Sequence, residues 1–431
     1  MRPLSGRTRA CADCETPPAW LVVARGSVCY VARVARVSIL SAVLSVVVAV
    51  GVGAGVAGSA PADPAPLGRD FLWGVASSGF QSEGDSPDSN WRRFQASGQT
   101  PDKVGGSVDF RHRYPGDIRL AAGLGARVYR IGIEWARLQP RPGQWDEQAF
   151  RYYDDVIAKI RSAGMRPMLT LDHWVYPGWA VDRGGWRNAA MVSDWLANAR
   201  KVVDRYAKAN PLWVTFNETF AYLLQESRLG GIGPAEVPMM SDKLVAAHGG
   251  IYDYIHAKQP GALVTSNVAY LPTAEPAIDA GFLDRVAHRL DYVGIDYYYG
   301  ASLADVGGLA AAANNELWKA PLTAEGIYYA LRHYARKFPG RPLYVVENGI
   351  PTENGAPRAD GYTRGANLRD TAYWLQRARA DGMNVMGYNY WSLTDNYEWG
   401  SYTPRFGLYT VDVKTDPTLA RRPTDAVAAY R

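Results

Sequence analysis

The stretch PLYVVENGIPTENGAP, residues Pro342–Pro357, decides how this chain folds. Its first half is a short apolar run rich in β-branched and aromatic side chains, which is typical of a buried strand, and the run ends on Glu347. Its second half places Glu353 among Gly, Pro and Asn, the composition of a loop. The triplet Glu-Asn-Gly therefore occurs twice, but only its first copy follows a strand.

The same order of apolar strand and amphipathic helix recurs on both sides of this stretch. Alternating β and α units indicate a parallel sheet. Eight such units over about 360 residues fit a single (β/α)8 TIM barrel with enlarged βα loops. An open doubly wound sheet is the alternative, but no Gly-x-Gly-x-x-Gly follows the first strand. The predicted strands are FLWGVA (71–76), ARVYRIGIE (126–134), RPMLTLDH (166–173), LWVTFN (212–217), ALVTSNV (262–268), YVGIDYY (292–298), PLYVVE (342–347) and VMGYNYW (385–391).

The N-terminus differs from the rest of the chain. Residues 1–60 hold six arginines against two acidic residues, so they contribute +4 of the formal net charge of +5. Residues 37–56 are almost continuously apolar, with basic residues before them and small residues after them, which is the order of a secretory signal peptide. The run is also long enough to anchor the chain in a membrane if it stays uncleaved. We expect a secreted or extracytoplasmic protein with a Pro-rich linker at 61–68 and one catalytic domain at 69–431.

Composition excludes several classes of partner and cofactor. The near-neutral body has no basic run that would indicate a nucleic-acid partner. All three cysteines precede residue 37, and the Cys11/Cys14 pair lacks the second pair or nearby His of a metal site. We therefore predict no metal site, and the oligomeric state is left open.

Polar side chains follow the apolar runs at the predicted strand ends, where the active site of such a barrel lies. Two of them, Glu218 and Glu347, are carboxylates on different strands that could converge over one bond. A retaining glycosidase needs this pair, because one carboxylate attacks the anomeric carbon while the other donates and later removes a proton. Structural carboxylates are the alternative interpretation at this point. The strand ends supply Gln81 and Glu83, Arg130 and Glu134, Asp172 and His173, Asn217 and Glu218, Asp296 and Tyr298, Glu347, and Trp391.

Taken together, six ordered stretches resemble glycoside hydrolase family 1, the retaining β-glycosidases, over roughly residues 70–431. The variants GIEW and GFQSEG are similar to the archaeal-type branch of that family. The stretches are FLWGVASSGFQSEG (71–84), HRYPGDIRLAAGLGARVYRIGIEWARLQP (112–140), LTLDHWVYPGW (169–179) with GGW (184–186), WVTFNE (213–218), YVVENG (344–349) and YNYWSLTDNYEWGSYTPRFGLYTVD (388–412).

The resemblance implies a role for each matching residue. It makes Glu218 the general acid/base and Glu347 the nucleophile of a β-glucosidase or β-galactosidase that needs no cofactor. Arg130 and Tyr298 would hold the nucleophile ionised, and Asn217 would bind the sugar 2-OH. The remaining implied sugar-binding residues are Gln81, His173, Trp391, Glu398 and Trp399.

Three positions depart from the family pattern. Thr219 stands where Pro usually follows Asn-Glu, and Val175 replaces the usual Asp after His-Trp. Asp296 replaces the usual Asn two residues before Tyr298. An extra carboxyl there should either raise the pKa of neighbouring acids or stay protonated itself.

Two rival functions remain open beside hydrolysis. A transglycosylase of the same family would pass the sugar to an alcohol instead of water. A sugar-binding barrel without activity would have lost a catalytic carboxylate, whereas both are present here. The sequence does not choose among glucose, galactose, fucose and mannose, nor does it name the aglycone.

Overall fold

The computed structural model describes residues 63–298, 316–320 and 322–431. The predicted signal or anchor segment, residues 1–60, lies outside the described residues, as do residues 61 and 62 of the predicted linker. Within the described ranges, none of the helices combines the length and apolar character needed to cross a membrane.

Among the residues that the structure describes, nine parallel strands form the main sheet, in the order β5-β4-β3-β2-β1-β10-β8-β7-β6. Each predicted strand is present: 385–391 has its predicted bounds, 342–347 is shifted by one residue, and the others are shorter or, for 262–268, broken. Their bounds are β1 Leu72–Ala76, β2 Val128–Gly132, β3 Arg166–Asp172, β4 Leu212–Phe216, β5 Leu263–Thr265, β6 Val268–Ala269, β7 Val293–Asp296, β8 Leu343–Asn348 and β10 Val385–Trp391.

The predicted fifth strand, 262–268, is broken into β5 and β6 by Ser266 and Asn267. β5 pairs with β4 and β6 pairs with β7, so the two ends of the strand order are consecutive in the chain. The sheet is therefore TIM-like, with one strand divided between its two neighbours.

Helices follow the strands as the alternating pattern predicts. The helices are α1 Gly79–Ser82, α2 Asn90–Ala96, α3 Phe110–Gly123, α4 Trp135–Leu138, α5 Glu147–Ser162, α6 Gly178–Asp182, α7 Met191–Tyr206, α8 Thr219–Arg228, α9 Val237–Lys258, α10 Glu275–Gly281, α11 Gly326–Lys337, α12 Arg364–Ala380 and α13 Asp425–Tyr430.

Side chains on the two faces of the sheet belong to different apolar clusters. Val128 and Met168 belong to a small cluster drawn mostly from the strands. Their neighbours Tyr129 and Leu169 belong to the large cluster that includes the helix residues. Because side chains alternate along a strand, Arg130 continues the face of Val128. That face carries the polar groups at the carboxyl ends of the strands.

Two small antiparallel sheets lie in the loops after β8 and β10. One pairs β9 (Thr352–Glu353) with β11 (Pro404–Arg405), and the other pairs β12 (Tyr409–Thr410) with β13 (Arg422–Pro423). Glu353 is exposed, as expected, although it lies in a two-residue strand instead of an irregular loop.

Candidate active site

One cavity of about 470 Å³ opens at the carboxyl ends of the strands. Nine of the ten residues to which the family resemblance gives a role line it, and Arg130 lies beneath it in contact with two of them. The nine are Gln81, His173, Asn217, Glu218, Tyr298, Glu347, Trp391, Glu398 and Trp399.

Two donors hold the carboxylate of Glu347. The fully buried guanidinium of Arg130 donates from Nη1 to Oε1, and Tyr298 Oη donates to Oε2 over 2.7 Å. A cation and a hydroxyl donor both favour the ionised form of a buried carboxyl group. These two donors therefore orient the carboxyl group of Glu347 at the cavity.

A bulge in β8 brings Glu347 to this position. Ile295 pairs with Val345, whereas the next residue of β7, Asp296, pairs with Glu347, so β8 contains one residue more than β7. A bulge changes the direction of the side chains that follow it and is common next to active sites.

Arg130 also fixes the neighbour of the second carboxylate. Its Nε donates to Thr170 Oγ1 over 2.9 Å, and its Nη2 donates to Asn217 Oδ1 over 2.6 Å. The amide oxygen of Asn217 also accepts from Asn267 over 2.7 Å. Its Nδ2 has no partner among the described residues, so this donor is available to a molecule in the cavity.

Glu218 lies between the end of β4 and the start of α8. Its φ of 36° is in the left-handed region, which costs a non-glycine residue of order 1–3 kcal/mol and is found mainly at functional sites. Burial and the charge of Glu347 raise the pKa of Glu218 to about 8, against an opposing effect of Arg130. Glu218 is therefore mostly protonated at neutral pH, as a general acid must be.

The opposite wall of the cavity presents donors and acceptors beside indole rings. Glu398 accepts from Gln81 Nε2 and from Trp391 Nε1, each over 3.2 Å. Burial raises the pKa of Glu398 to about 8. The imidazole of His173 stacks on Trp391 and Trp399 at ring-centre distances of 5.9 and 5.7 Å. Flat apolar faces beside hydrogen-bonding groups suit the two kinds of surface on a sugar ring.

Burial lowers the pKa of His173 well below its usual value, so its ring is neutral. Its Nδ1 has no hydrogen-bond partner within the described ranges.

The outer part of the cavity is mostly apolar. Leu224 on α8 is 57% exposed and is one of two large apolar side chains with high exposure in the described part of the chain. Such a side chain facing a cavity is a candidate contact for an apolar ligand group. The apolar residues at this end are Phe220, Ala221, Leu224, Leu271, Leu317 and Leu322.

Other polar residues at the strand ends are structural. Glu83 forms an ion pair with Arg137, with 2.8 Å between Oε2 and Nε, and neither residue lines the cavity. Burial and the charge of Glu83 raise the pKa of Glu134 to about 8, which keeps it neutral. Asp172 accepts from Trp174 N over 2.8 Å and from the Trp195 indole over 2.9 Å, so it holds the loop around His173.

Val175 and Thr219, two of the three residues that depart from the family pattern, are buried. Val175 packs in an apolar cluster with Phe80 and Trp91, where an unpaired carboxylate would be costly to bury. Thr219 begins α8 and is buried.

Sequence reasoning missed Asn267, which donates to both Asn217 and Asp296. The available signal was its place near the end of the fifth predicted strand, where no polar residue had been considered. Trp174 was also missed, although it lines the cavity and donates from its indole to Asn217 O over 2.8 Å.

Known proteins resemble this chain over most of its length. The galactolipid galactosyltransferase SFR2 of Arabidopsis thaliana is 29% identical over 71% of this chain and 54% of its own length. The thermostable beta-glucosidase B of Thermobispora bispora is 28% identical over 84% of this chain and 89% of its own. The chain thus spans about half the length of the SFR2 protein but most of the bacterial one.

Solved structures and a family model agree with these relatives. The beta-glycosidase from Pyrococcus horikoshii superimposes with a TM-score of 0.73 at 27% identity, covering 85% of this chain and 94% of that one. The model of glycosyl hydrolase family 1 matches residues 64–277 and 273–431. This chain belongs to glycosyl hydrolase family 1, as its motifs predict.

Proposed function

We propose that this protein is a retaining β-glycosidase that hydrolyses β-glucosides or β-galactosides by double displacement. The observation that carries the proposal is the different environment of two carboxyl groups in one cavity. Glu347 receives donors from Arg130 and Tyr298, whereas burial beside Glu347 raises the pKa of Glu218. A retaining glycosidase requires such a difference, because one carboxyl group acts as the nucleophile and the other as the acid.

In the first step, Glu347 attacks the anomeric carbon while Glu218 gives its proton to the glycosidic oxygen, so the aglycone leaves as an alcohol. Nδ2 of Asn217, which has no partner among the described residues, donates to the sugar 2-OH, a contact that strengthens in the transition state. In the second step, Glu218 takes a proton from water as the water oxygen attacks the same carbon and the ester to Glu347 breaks. The sugar is released with its original anomeric configuration.

The sugar-binding wall sets the expected glycone. Gln81, His173 and Glu398 face the cavity with groups that bind hydroxyls, and Trp391 and Trp399 supply its indole surfaces. A carboxyl group at this wall disfavours a substrate that carries a 6-phosphate, because the buried phosphate would lie beside an acid instead of a cation. Unphosphorylated sugars are therefore the proposed substrates.

Transglycosylation is the second candidate function. One relative is named a galactolipid galactosyltransferase, and the apolar end of the cavity could hold an apolar acceptor as well as an apolar aglycone. Product analysis with and without added alcohols separates the two outcomes. We also propose export, on the charge and apolar pattern of residues 1–60.

Covalent trapping tests the proposed mechanism. After incubation with a 2-deoxy-2-fluoro-β-glucosyl or β-galactosyl fluoride, we expect one added sugar on the peptide that contains Glu347. If the folded protein takes no label from either reagent, or if the label lies on another peptide, Glu347 is not the nucleophile. The matched control is Glu347→Gln, which keeps the shape of the side chain and should take no label.

A further inference from the structure

Asp296 is a third carboxyl group in the catalytic cavity, and the double displacement does not use it. It lies at the end of β7, opposite Glu347 in the sheet, and is 1% exposed. Its Oδ2 accepts from Asn267 Nδ2, whereas its Oδ1 is buried without a hydrogen-bond partner in the part of the chain that the structure describes. One polar atom of Asp296 therefore remains available at the cavity.

The charges around Asp296 oppose its ionisation. Glu347 faces it from β8 and Glu218 from the end of β4, and Tyr298 follows two residues later. The guanidinium of Arg130 is the nearby cation, but its hydrogen bonds go to other side chains. A buried carboxylate without its own cation, beside two further carboxyl groups, is costly. Burial and these two neighbours raise the pKa of Asp296 well above its usual value.

Building on the proposed function, we propose that Asp296 stays protonated through both chemical steps and donates a hydrogen bond from Oδ1 to the carboxylate of Glu218. Both carboxyl groups line the same cavity, and Asp296 is one of the groups that favour the ionised form of Glu218. Glu398 also faces Glu218 and has the opposite effect. Asp296 would thus be a positioning residue that acts through the acid/base.

The hydrogen bond from Asp296 has opposite effects on the rates of the two chemical steps. In the first step, Glu218 loses its proton to the departing oxygen, and the resulting carboxylate gains the hydrogen bond from Asp296. In the second step, the same hydrogen bond must weaken as Glu218 takes a proton from water. The proton of Asp296 itself is not transferred, so Asp296 promotes formation of the glycosyl-enzyme and slows its breakdown.

Asp296→Asn tests the proposal because the amide has the same shape and cannot titrate. Its oxygen can accept from Asn267 while its nitrogen donates to Glu218, and an N–H donor is weaker than an O–H donor. We expect the basic limb of the pH profile of kcat/KM to move to higher pH. We also expect the trapped fluoroglycosyl-enzyme to reactivate roughly fivefold faster than in the unchanged protein.

An ionised Asp296 predicts the reverse. Removal of a negative charge would lower the pKa of Glu218 and move the basic limb to lower pH. A shift in that direction, or no shift, overturns the proposal. The matched control is Asp291→Asn, a carboxyl group of the same chain segment that contacts Tyr252 and His256 instead of the cavity, and its profile should be unchanged.

Infrared spectroscopy separates this proposal from the proposed function. At neutral pH, the difference spectrum between the unchanged protein and Asp296→Asn should show the loss of one protonated carboxyl band. Its absence overturns the proposal whether or not the protein hydrolyses any glycoside. Failure of the fluorosugar to label Glu347, with the carboxyl band present, would instead reject the glycosidase mechanism alone.

Discussion

Replacement of Glu218 by Gln should make turnover depend strongly on the leaving group. A carboxyl group with a pKa of about 8 is roughly nine-tenths protonated at pH 7, so the unchanged enzyme has its acid almost fully available. The amide keeps the shape but has no proton to give. Loss of general acid catalysis costs about 10²–10⁴ in rate, or about 3–5 kcal/mol in activation free energy.

The assay compares kcat/KM for dinitrophenyl and alkyl β-glucosides at several pH values. A dinitrophenolate leaves without a proton, so its kcat/KM should change little, whereas the alkyl glucoside should lose the full amount. The unchanged enzyme should lose activity as the pH rises through about 8, where Glu218 ionises, and the variant should lack this limb. Added azide should restore turnover of the dinitrophenyl substrate, because an anionic nucleophile needs no base.

The matched control is Glu226→Gln on α8, the helix that begins directly after Glu218. Burial also raises the pKa of Glu226, to about 7, but its carboxyl group accepts from Tyr176 and does not line the cavity. We expect this variant to retain the leaving-group dependence of the unchanged enzyme. Equal losses for both substrates in Glu218→Gln, or the same pattern in the control, would refute the assignment of the acid.

Three further predictions concern the nucleophile, the fold and the outer cavity. Glu347→Ala should abolish hydrolysis measured by sugar release, whereas the exposed Glu353→Ala should leave it nearly unchanged, and equal losses would reject the choice between the two triplets. Trp195→Phe should lower the free energy of unfolding in urea by about 1–3 kcal/mol, because a buried carboxyl group loses its indole donor; an unchanged midpoint would contradict this. Leu224→Asp should reduce kcat/KM for an octyl glucoside about tenfold but leave that for a methyl glucoside unchanged. The control Tyr373→Asp, at an exposed apolar residue away from the cavity, should change neither value, and parallel losses for both substrates would exclude a contact with the aglycone.

Much of the fold follows from local pattern. Apolar runs such as 342–347 form strands wherever predicted, because a parallel sheet buries both faces and leaves a nearly continuous apolar signal. The two proposed catalytic carboxyl groups were found because each follows such a run directly. Their convergence in one cavity then follows from the parallel arrangement, which brings the carboxyl ends of the strands to one side of the sheet.

The remainder depends on tertiary structure. The run 262–268 reads as one uninterrupted strand, yet it changes partners at Ser266 and Asn267, and local propensity carries no information about pairing. The extra residue in β8 that turns Glu347 toward the cavity is equally invisible, since it is defined only by comparison with β7. The electrostatic partners of Asp296 likewise come from three other strands or their ends.

The ring contacts around Trp399 give this protein an optical signal of ligand binding. The centre of its indole ring lies 4.7 Å from the ring centres of Trp91 and Trp174, and the angles between the ring planes are 45° and 37°. Indoles this close and not parallel couple their electronic transitions, which gives circular dichroism in the near ultraviolet. Trp174 and Trp399 both line the cavity, so a sugar placed against them should alter that spectrum. Affinities could then be measured in variants that no longer turn over, with neither a chromogenic substrate nor a label.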